Sequence, residues 1–198
     1  MVQAKIWVLK QHFEGFPKDT DFELSLEQLS EPNDGEVLLE AVFLSVDPYM
    51  RPFSRVRMQE GDVMIETQVA KVIQSNNPSF PVGCHVVGEH ILCQMGAISP
   101  ESWMPGLRMS LSPMPWEPLA CQGPYPHLQM IFKQLKMEGF LVGRWEHKNE
   151  ESLKRMLTWV QEGKLKCKEH VTVGFENMPA AFMGMLQGEN IRKAIVKV

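Results

Sequence analysis

Asn33-Asp34-Gly35-Glu36-Val37-Leu38-Leu39-Glu40-Ala41-Val42-Phe43-Leu44 places a turn signal directly before a long, largely apolar run of the kind that forms a β-strand. The flanks repeat that grammar. Lys5-Ile6-Trp7-Val8-Leu9 is a short β-type run, and Gln68-Val69-Ala70-Lys71-Val72-Ile73 is another, closed by Asn76-Asn77-Pro78. Pro81-Val82-Gly83 makes a further turn. Short strands separated by turn chemistry predict a small β-barrel or sandwich over roughly the first 80 residues.

The other end of the chain has a different period. From Asn149, a candidate N-cap, the apolar residues Leu153, Met156, Leu157 and Val160 fall at helical spacing, and Gly163 sits where a helix stops. A second helix is expected from about Met178 to Leu186, with Pro179 in its first turn and Gly188 after its end. Ile195-Val196-Lys197-Val198 reads as a closing strand. Met178, Met183 and Met185 read as core filler rather than a sulfur-based site.

Between these parts, residues 91–123 fit neither pattern. They contain four methionines, two tryptophans and five prolines but only three charged residues, Glu101, Arg108 and Glu117. Pro113, Pro115 and Pro118 would interrupt any helix or central strand.

Composition narrows the class. The chain has 198 residues, 44% apolar and 22% charged, which is globular rather than disordered usage. A net charge of −4 provides no general basic field for nucleic acid or an anionic membrane. No apolar run approaches the roughly 18 residues of a membrane span, and the N-terminus lacks a signal-peptide pattern. A cytoplasmic protein is the expectation. Cys84, Cys93, Cys121 and Cys167 are unevenly spaced and are expected to be free thiols. Cys84 and Cys93 flank His85 and His90, but no zinc-type ligand spacing is present, so no metal is expected.

Ser45-Val46-Asp47-Pro48-Tyr49-Met50-Arg51 resembles the signature of the prostaglandin reductase/leukotriene B4 dehydrogenase family, a zinc-independent branch of the medium-chain reductases. The likeness extends over Asp21-Phe22-Glu23-Leu24, Gly35–Ala41 and Glu60-Gly61-Asp62. Gly174-Phe175-Glu176-Asn177-Met178-Pro179-Ala180-Ala181-Phe182-Met183-Gly184-Met185-Leu186 resembles the leukotriene B4 dehydrogenase branch closely, as do Trp159–Lys164 and Ile195-Val196-Lys197. The resemblance covers about the first 85 and last 75 residues. It implies an α+β fold in which a GroES-like β-barrel catalytic domain is built from both chain ends around an inserted Rossmann domain that binds NADPH. It also implies reduction of the carbon–carbon double bond of α,β-unsaturated aldehydes and ketones, including 15-oxo-prostaglandins, and oxidation of the leukotriene B4 12-hydroxyl. The partner so implied is a small lipid enone or aldehyde, with no nucleic acid, no membrane span and no metal. Family dimers associate through the nucleotide domain, which leaves the oligomeric state here open.

A Rossmann domain needs a glycine-rich turn whose backbone N–H groups hold the pyrophosphate at a helix N-terminus. This sequence contains no G-x-G, and the family's A-A-A-G-A-V-G-S is absent. Codons for Met114–Gly123 read from the third base permit A-L-G-T-V-G-M-P-G, a family segment. The same shift on His90–Gly96 permits H-S-V-S-D-G, another in its expected order. The reading is therefore an out-of-frame segment followed by an exon-scale deletion that restores the frame near Pro124. The expected organisation is 1–85, N-terminal part of the catalytic domain; 86–123, irregular and out of frame; 124–163, remnant of the end of the nucleotide-binding domain; 164–198, C-terminal part of the catalytic domain. On this reading His90, Cys93, Trp103, Trp116 and Cys121 have no selected role.

Candidate site residues follow from the resemblance. Tyr49 and Arg51 are placed on the substrate side, where a phenol can donate to a carbonyl oxygen; the alternative is a loop brace in which Asp47 caps a turn and Pro48 fixes its direction. Phe140, Leu141 and Val142 match a segment that lines the cofactor in the family, a reading compatible with a buried strand. Asn190 matches the asparagine of the family's G-x-N-x-G-K motif, which contacts the cofactor. Arg192 replaces the glycine before Lys193, so a close backbone approach would meet a long side chain. The family's pocket tyrosine has no counterpart, for Ala97-Ile98-Ser99 falls in the irregular segment. Three readings stand together: a working reductase, a catalytically dead shortened product, and a non-enzymatic module that binds a hydrophobic carbonyl compound or a full-length relative. The missing glycine loop favours the second, in which an exposed apolar patch replaces the lost domain interface.

Overall fold

A computed structural model describes residues 2–91, 95–98, 127–140 and 142–198. The chain forms two compact units, one of residues 1–107 with 168–198 and the other of residues 108–167.

The first unit is sheet-rich and mixed α/β. Strand β1 (Val2–Leu9) pairs antiparallel with β2 (Phe22–Leu29), in register from Val2↔Leu29 to Leu9↔Phe22. The link between them is fixed by Asp21. Its carboxylate accepts from the Lys18 backbone N–H at 2.9 Å and from Gln11 Nε2 at 2.7 Å, which allows a buried acid to be tolerated. The turn at Asn33–Glu36 forms as expected: Gly35 takes φ of 80°, and the Glu36 N–H donates to the Asn33 carbonyl at 3.1 Å.

Strand β3 (Val37–Ser45) is the centre of the larger sheet. Val37, Leu38 and Leu39 are all buried in succession, so both faces are covered, as an unalternating apolar run requires. One edge of β3 takes β4 (Ile65–Ser75), which in turn pairs with β5 (His85–Ile91). The other edge takes β6 (Met95–Ile98) along Val37–Glu40 and β8 (Lys193–Lys197) along Phe43–Ser45. Strand β7 (Glu169–Val173) lies parallel to β8 at the end of the order β5-β4-β3-β8-β7. Two chain segments over a hundred positions apart thus share one sheet.

Helix α1 (Met50–Arg57) follows β3 directly. The turn at Pro48 and Tyr49 gives way to the helix at Met50, so Arg51 of the loop-brace alternative lies on a helix. Pro52 sits in the first turn, where backbone N–H groups have no helical acceptor, so the ring removes nothing. Near the C-terminus, helix α4 (Met178–Gln187) starts with Pro179 in its first turn and ends on Gly188, whose φ of 81° is the left-handed cap. Phe182 and Phe175 from this end join Leu9, Phe22, Leu44, Met50 and Met64 in one buried cluster. The Phe22 and Phe182 rings meet edge to face with centroids 6.2 Å apart.

Strands β5 and β6 carry regular structure to residue 98, so the expectation of irregular chain from residue 86 does not hold for 86–91 and 95–98. His85-Val86-Val87 continues the ladder against β4, with Val86 buried. Cys93, Trp103, Trp116, Cys121 and the remainder of that segment lie outside the described residues. Cys84 and Cys167 are free thiols.

The second unit contains α2 (His127–Phe132), a 3-10 stretch at Val142–Lys148 and α3 (Asn149–Gln161). The expected amphipathic helix is present, though its N-cap is Lys148 rather than Asn149, because the preceding 3-10 turns already carry the chain into the helix. Gly163, with φ of 71°, ends it, and the Lys164 N–H returns to the Trp159 carbonyl at 2.9 Å. None of its residues is buried; Leu153 and Leu157 are 57% and 60% exposed.

Candidate functional site

The end of β3 delivers Ser45, Val46 and Asp47 beside the start of β8. There Lys193 ion-pairs with Asp47, and its ammonium also donates to the Val46 carbonyl at 3.3 Å. Ser45 Oγ donates to the second oxygen of the same carboxylate. Asp47 therefore does not cap a turn with its side chain, as the sequence reading allowed. It clasps the N-terminal D-P-Y-M-R segment to the C-terminal G-x-N-x-R-K segment. Neither the pairing nor the importance of Lys193 is visible from spacing, since 146 positions separate the two residues.

Tyr49 is half-buried against the main core, with its ring centroid 5.1 Å from that of Phe53. The Arg57 guanidinium lies 4.7 Å from the Phe53 ring centre on the next turn. Arg51 is exposed and donates from Nη2 to the Gly15 carbonyl at 2.7 Å, so its fork holds the β1–β2 connection to the entry of α1.

Asn190 donates through Nδ2 to the Arg192 carbonyl at 2.6 Å, folding the short segment between α4 and β8 back on itself. It also lines a cavity of about 270 Å³ together with His170 and Thr172 of β7, Met185 and Gly184 of α4, and Ala194 of β8. Amide, hydroxyl and imidazole groups and the Glu189 carboxylate share this wall with Ala180, Ala181 and Met185, a mix of polar and apolar groups that a small molecule could use. The sequence names Asn190, and His170 only as a weighed and rejected zinc ligand; Thr172 sits on a strand too short and polar to be singled out.

Phe140 and Val142 belong to the second unit. Phe140 is 63% exposed and packs edge to face on Trp145 with centroids 5.1 Å apart. Val142 opens the 3-10 stretch, so this segment is not the buried strand considered above. Leu141 lies outside the described residues. Among the described residues no cluster of three or more His, Cys, Asp or Glu could hold a metal ion, and no helix is long and apolar enough to cross a membrane.

Residues 5–105 match the family model described as the N-terminal domain of oxidoreductase. Prostaglandin reductase 1 of Mus musculus is 32% identical over 330 aligned positions, and that of Rattus norvegicus 31%, each alignment covering 100% of both chains. An end-to-end alignment of 330 positions exceeds the 198 residues of this chain. The relatives therefore carry internal sequence with no counterpart here. In fold, the chain is similar to CurA from Vibrio vulnificus, with a TM-score of 0.76 at 19% identity over 100% of this chain and 99% of that one. The complex of CurA with NADPH gives 0.77 at 18% identity, covering 98% and 99%. Sequence and fold agree: the chain belongs to the prostaglandin reductase family of medium-chain reductases, in a form shorter than those relatives.

Proposed function

We propose that this chain is a catalytically silent form of an NADPH-dependent enone reductase, retaining the substrate-side domain and lacking the nucleotide-binding one. The observation that carries the proposal is the internal shortfall against relatives aligned end to end, in a sequence without a glycine-rich phosphate turn. Hydride delivery to the β-carbon needs the nicotinamide held against the substrate, and the protein's part in that is binding and orientation. With no pyrophosphate cradle, Asn190 is left as a single contact, and Arg192 occupies the position of close approach.

The remaining framework is read as the GroES-like barrel of the family, closed by β8 on β3. Residues 124–163 are read as what is left of the nucleotide domain, consistent with a helix α3 that buries none of its residues. Residues 86–123 are read as translated out of frame. Substrates of the parent activity would be lipid enones such as 15-oxo-prostaglandins, with leukotriene B4 oxidation alongside, and dimerisation would be lost with the nucleotide domain.

One observation favours a second reading, in which the chain binds a small carbonyl ligand without turning it over: the cavity beside Asn190 mixes polar and apolar groups on its wall. The two are separated by titrating the folded protein first with NADPH and then with an enone in the absence of cofactor. Enone binding without NADPH binding supports the module; binding of neither supports the silent remnant; saturable NADPH binding sinks both.

A further inference from the structure

Two buried polar side chains of the sheet have no place in the site just described. Glu66 is 1% exposed and Gln68 is 4% exposed. Glu66 Oε1 and Oε2 and Gln68 Oε1 have no hydrogen-bond partner among the described residues. They are two residues apart on β4 and so share its inward face, which continues as Ala70 and Val72. A carboxylate that is buried and unpartnered is costly enough that the group takes up a proton instead.

The surroundings point the same way. Burial raises the Glu66 pKa well above the ordinary carboxylate range; the neighbouring Asp47 carboxylate raises it further, and Lys193 opposes them. Asp47 comes from the β3–α1 turn and Lys193 from the start of β8. On the remaining side, β5 sets His90 opposite Glu66 in the ladder. The β3–β4 ladder pairs Leu44 with Gln68, so two residues further Glu66 comes level with Val46, whose carbonyl accepts from the Lys193 ammonium of the Asp47–Lys193 ion pair.

We propose that Glu66 is a proton-controlled switch beneath the Asp47–Lys193 clasp: as the neutral acid it leaves Lys193 on Asp47, and as the carboxylate it repels Asp47 and draws Lys193 away. Loss of the proton to solvent loosens the join between the Asp47–Tyr49 segment and the Asn190–Lys193 segment. The inference concerns this chain's own fold and does not depend on whether a cofactor binds. Its sign is fixed by linkage. A carboxyl whose folded pKa is raised contributes full stability below its unfolded value of about 4.3, and that stability is lost as pH rises toward the folded value.

The test is thermal unfolding of the full chain from about pH 5 to about pH 9, for the wild type, Glu66→Gln and His90→Gln. The wild type and His90→Gln are expected to lose Tm across this range while Glu66→Gln stays flatter. Parallel curves for wild type and Glu66→Gln overturn the proposal. So does a fall that persists in Glu66→Gln but disappears in His90→Gln, which assigns the titration to the histidine. Should Glu66→Gln fail to fold, infrared spectra of the wild type decide the matter: a protonated-carboxyl band that persists above the ordinary carboxylate range and then titrates away supports the switch. Absence of that band at about pH 6 contradicts it.

Discussion

The indole N–H of Trp7 donates to the carbonyl of Phe175, 168 positions further along the chain, at 3.0 Å. The two rings also stack, with centroids 6.5 Å apart. Through this contact the first strand recognises the segment that precedes α4. Trp7→Phe keeps most of the apolar surface and removes the donor. It is expected to lower stability by about 1 kcal/mol, the net worth of one hydrogen bond, measured as a shift in the urea midpoint. An unchanged midpoint would mean that the bond does not hold the two ends together.

Phe182 tests the shared core more severely. Its side chain is 1% exposed and meets Phe13 and Phe22. Phe182→Ala is expected to cost about 3–5 kcal/mol through lost burial and the cavity left behind. For a domain of this size that is a large part of total stability. Cooperative unfolding at an unaltered midpoint would show that the C-terminal segment does not share the N-terminal core.

Gly188 isolates backbone strain from packing. Its φ is 81°, and a β-carbon there would meet nothing within 4 Å. Gly188→Ala should therefore cost about 1–2 kcal/mol from the left-handed conformation alone, while Gly188→Asn should cost less. Equal stability of the wild type and both variants would remove the cap from the account.

The acid limb of stability has a separate source. The hydrogen bond from Lys5 lowers the pKa of Glu176, as does a backbone hydrogen bond. A lowered carboxylate contributes stability that is present above its unfolded value and lost as pH falls through the folded one. Because the pair is exposed, solvent and salt screen it. Lys5→Met is expected to flatten the decline below about pH 4 only slightly, and less so in high salt. A large, salt-independent effect would contradict this assignment.

Much of the scaffold is legible locally. Asn33-Asp34-Gly35 specifies a turn that only the glycine's φ allows, and the unbroken apolar run after it becomes the central strand. Leu153, Met156, Leu157 and Val160 mark α3, and Pro179 with Gly188 brackets α4 to within a residue. What escapes is either masked or non-local. Helix α1 escapes because its eight residues, Met50–Arg57, are shorter than the window over which a helical period can be read. Val86 and Val87 extend the sheet into a stretch that reads as irregular because the prolines further on dominate its composition. Glu66 reads as one alternating polar residue on a strand; its burial on the inward face of β4 depends on the pairing of that strand with β3 and β5, which spacing does not show. Of the site residues, Asn190 falls at a cavity and Arg51 at a brace, while Phe140 and Val142 fall in the other unit.

Arg192 offers a check on which defect matters. Arg192→Gly places at that position the glycine that the resemblance implies there. On the proposed function it produces no saturable NADPH binding, because the missing phosphate cradle outweighs one removed side chain. A gain of binding in this single variant would relocate the defect from the absent domain to that residue.

The most direct measurement is nicotinamide fluorescence of NADPH titrated with the purified full chain, after its folded state has been verified by cooperative unfolding. No saturable change is predicted up to millimolar concentrations, where a competent reductase has bound its cofactor. Saturable binding in the micromolar range would contradict the central claim that this chain is a silent form of the reductase.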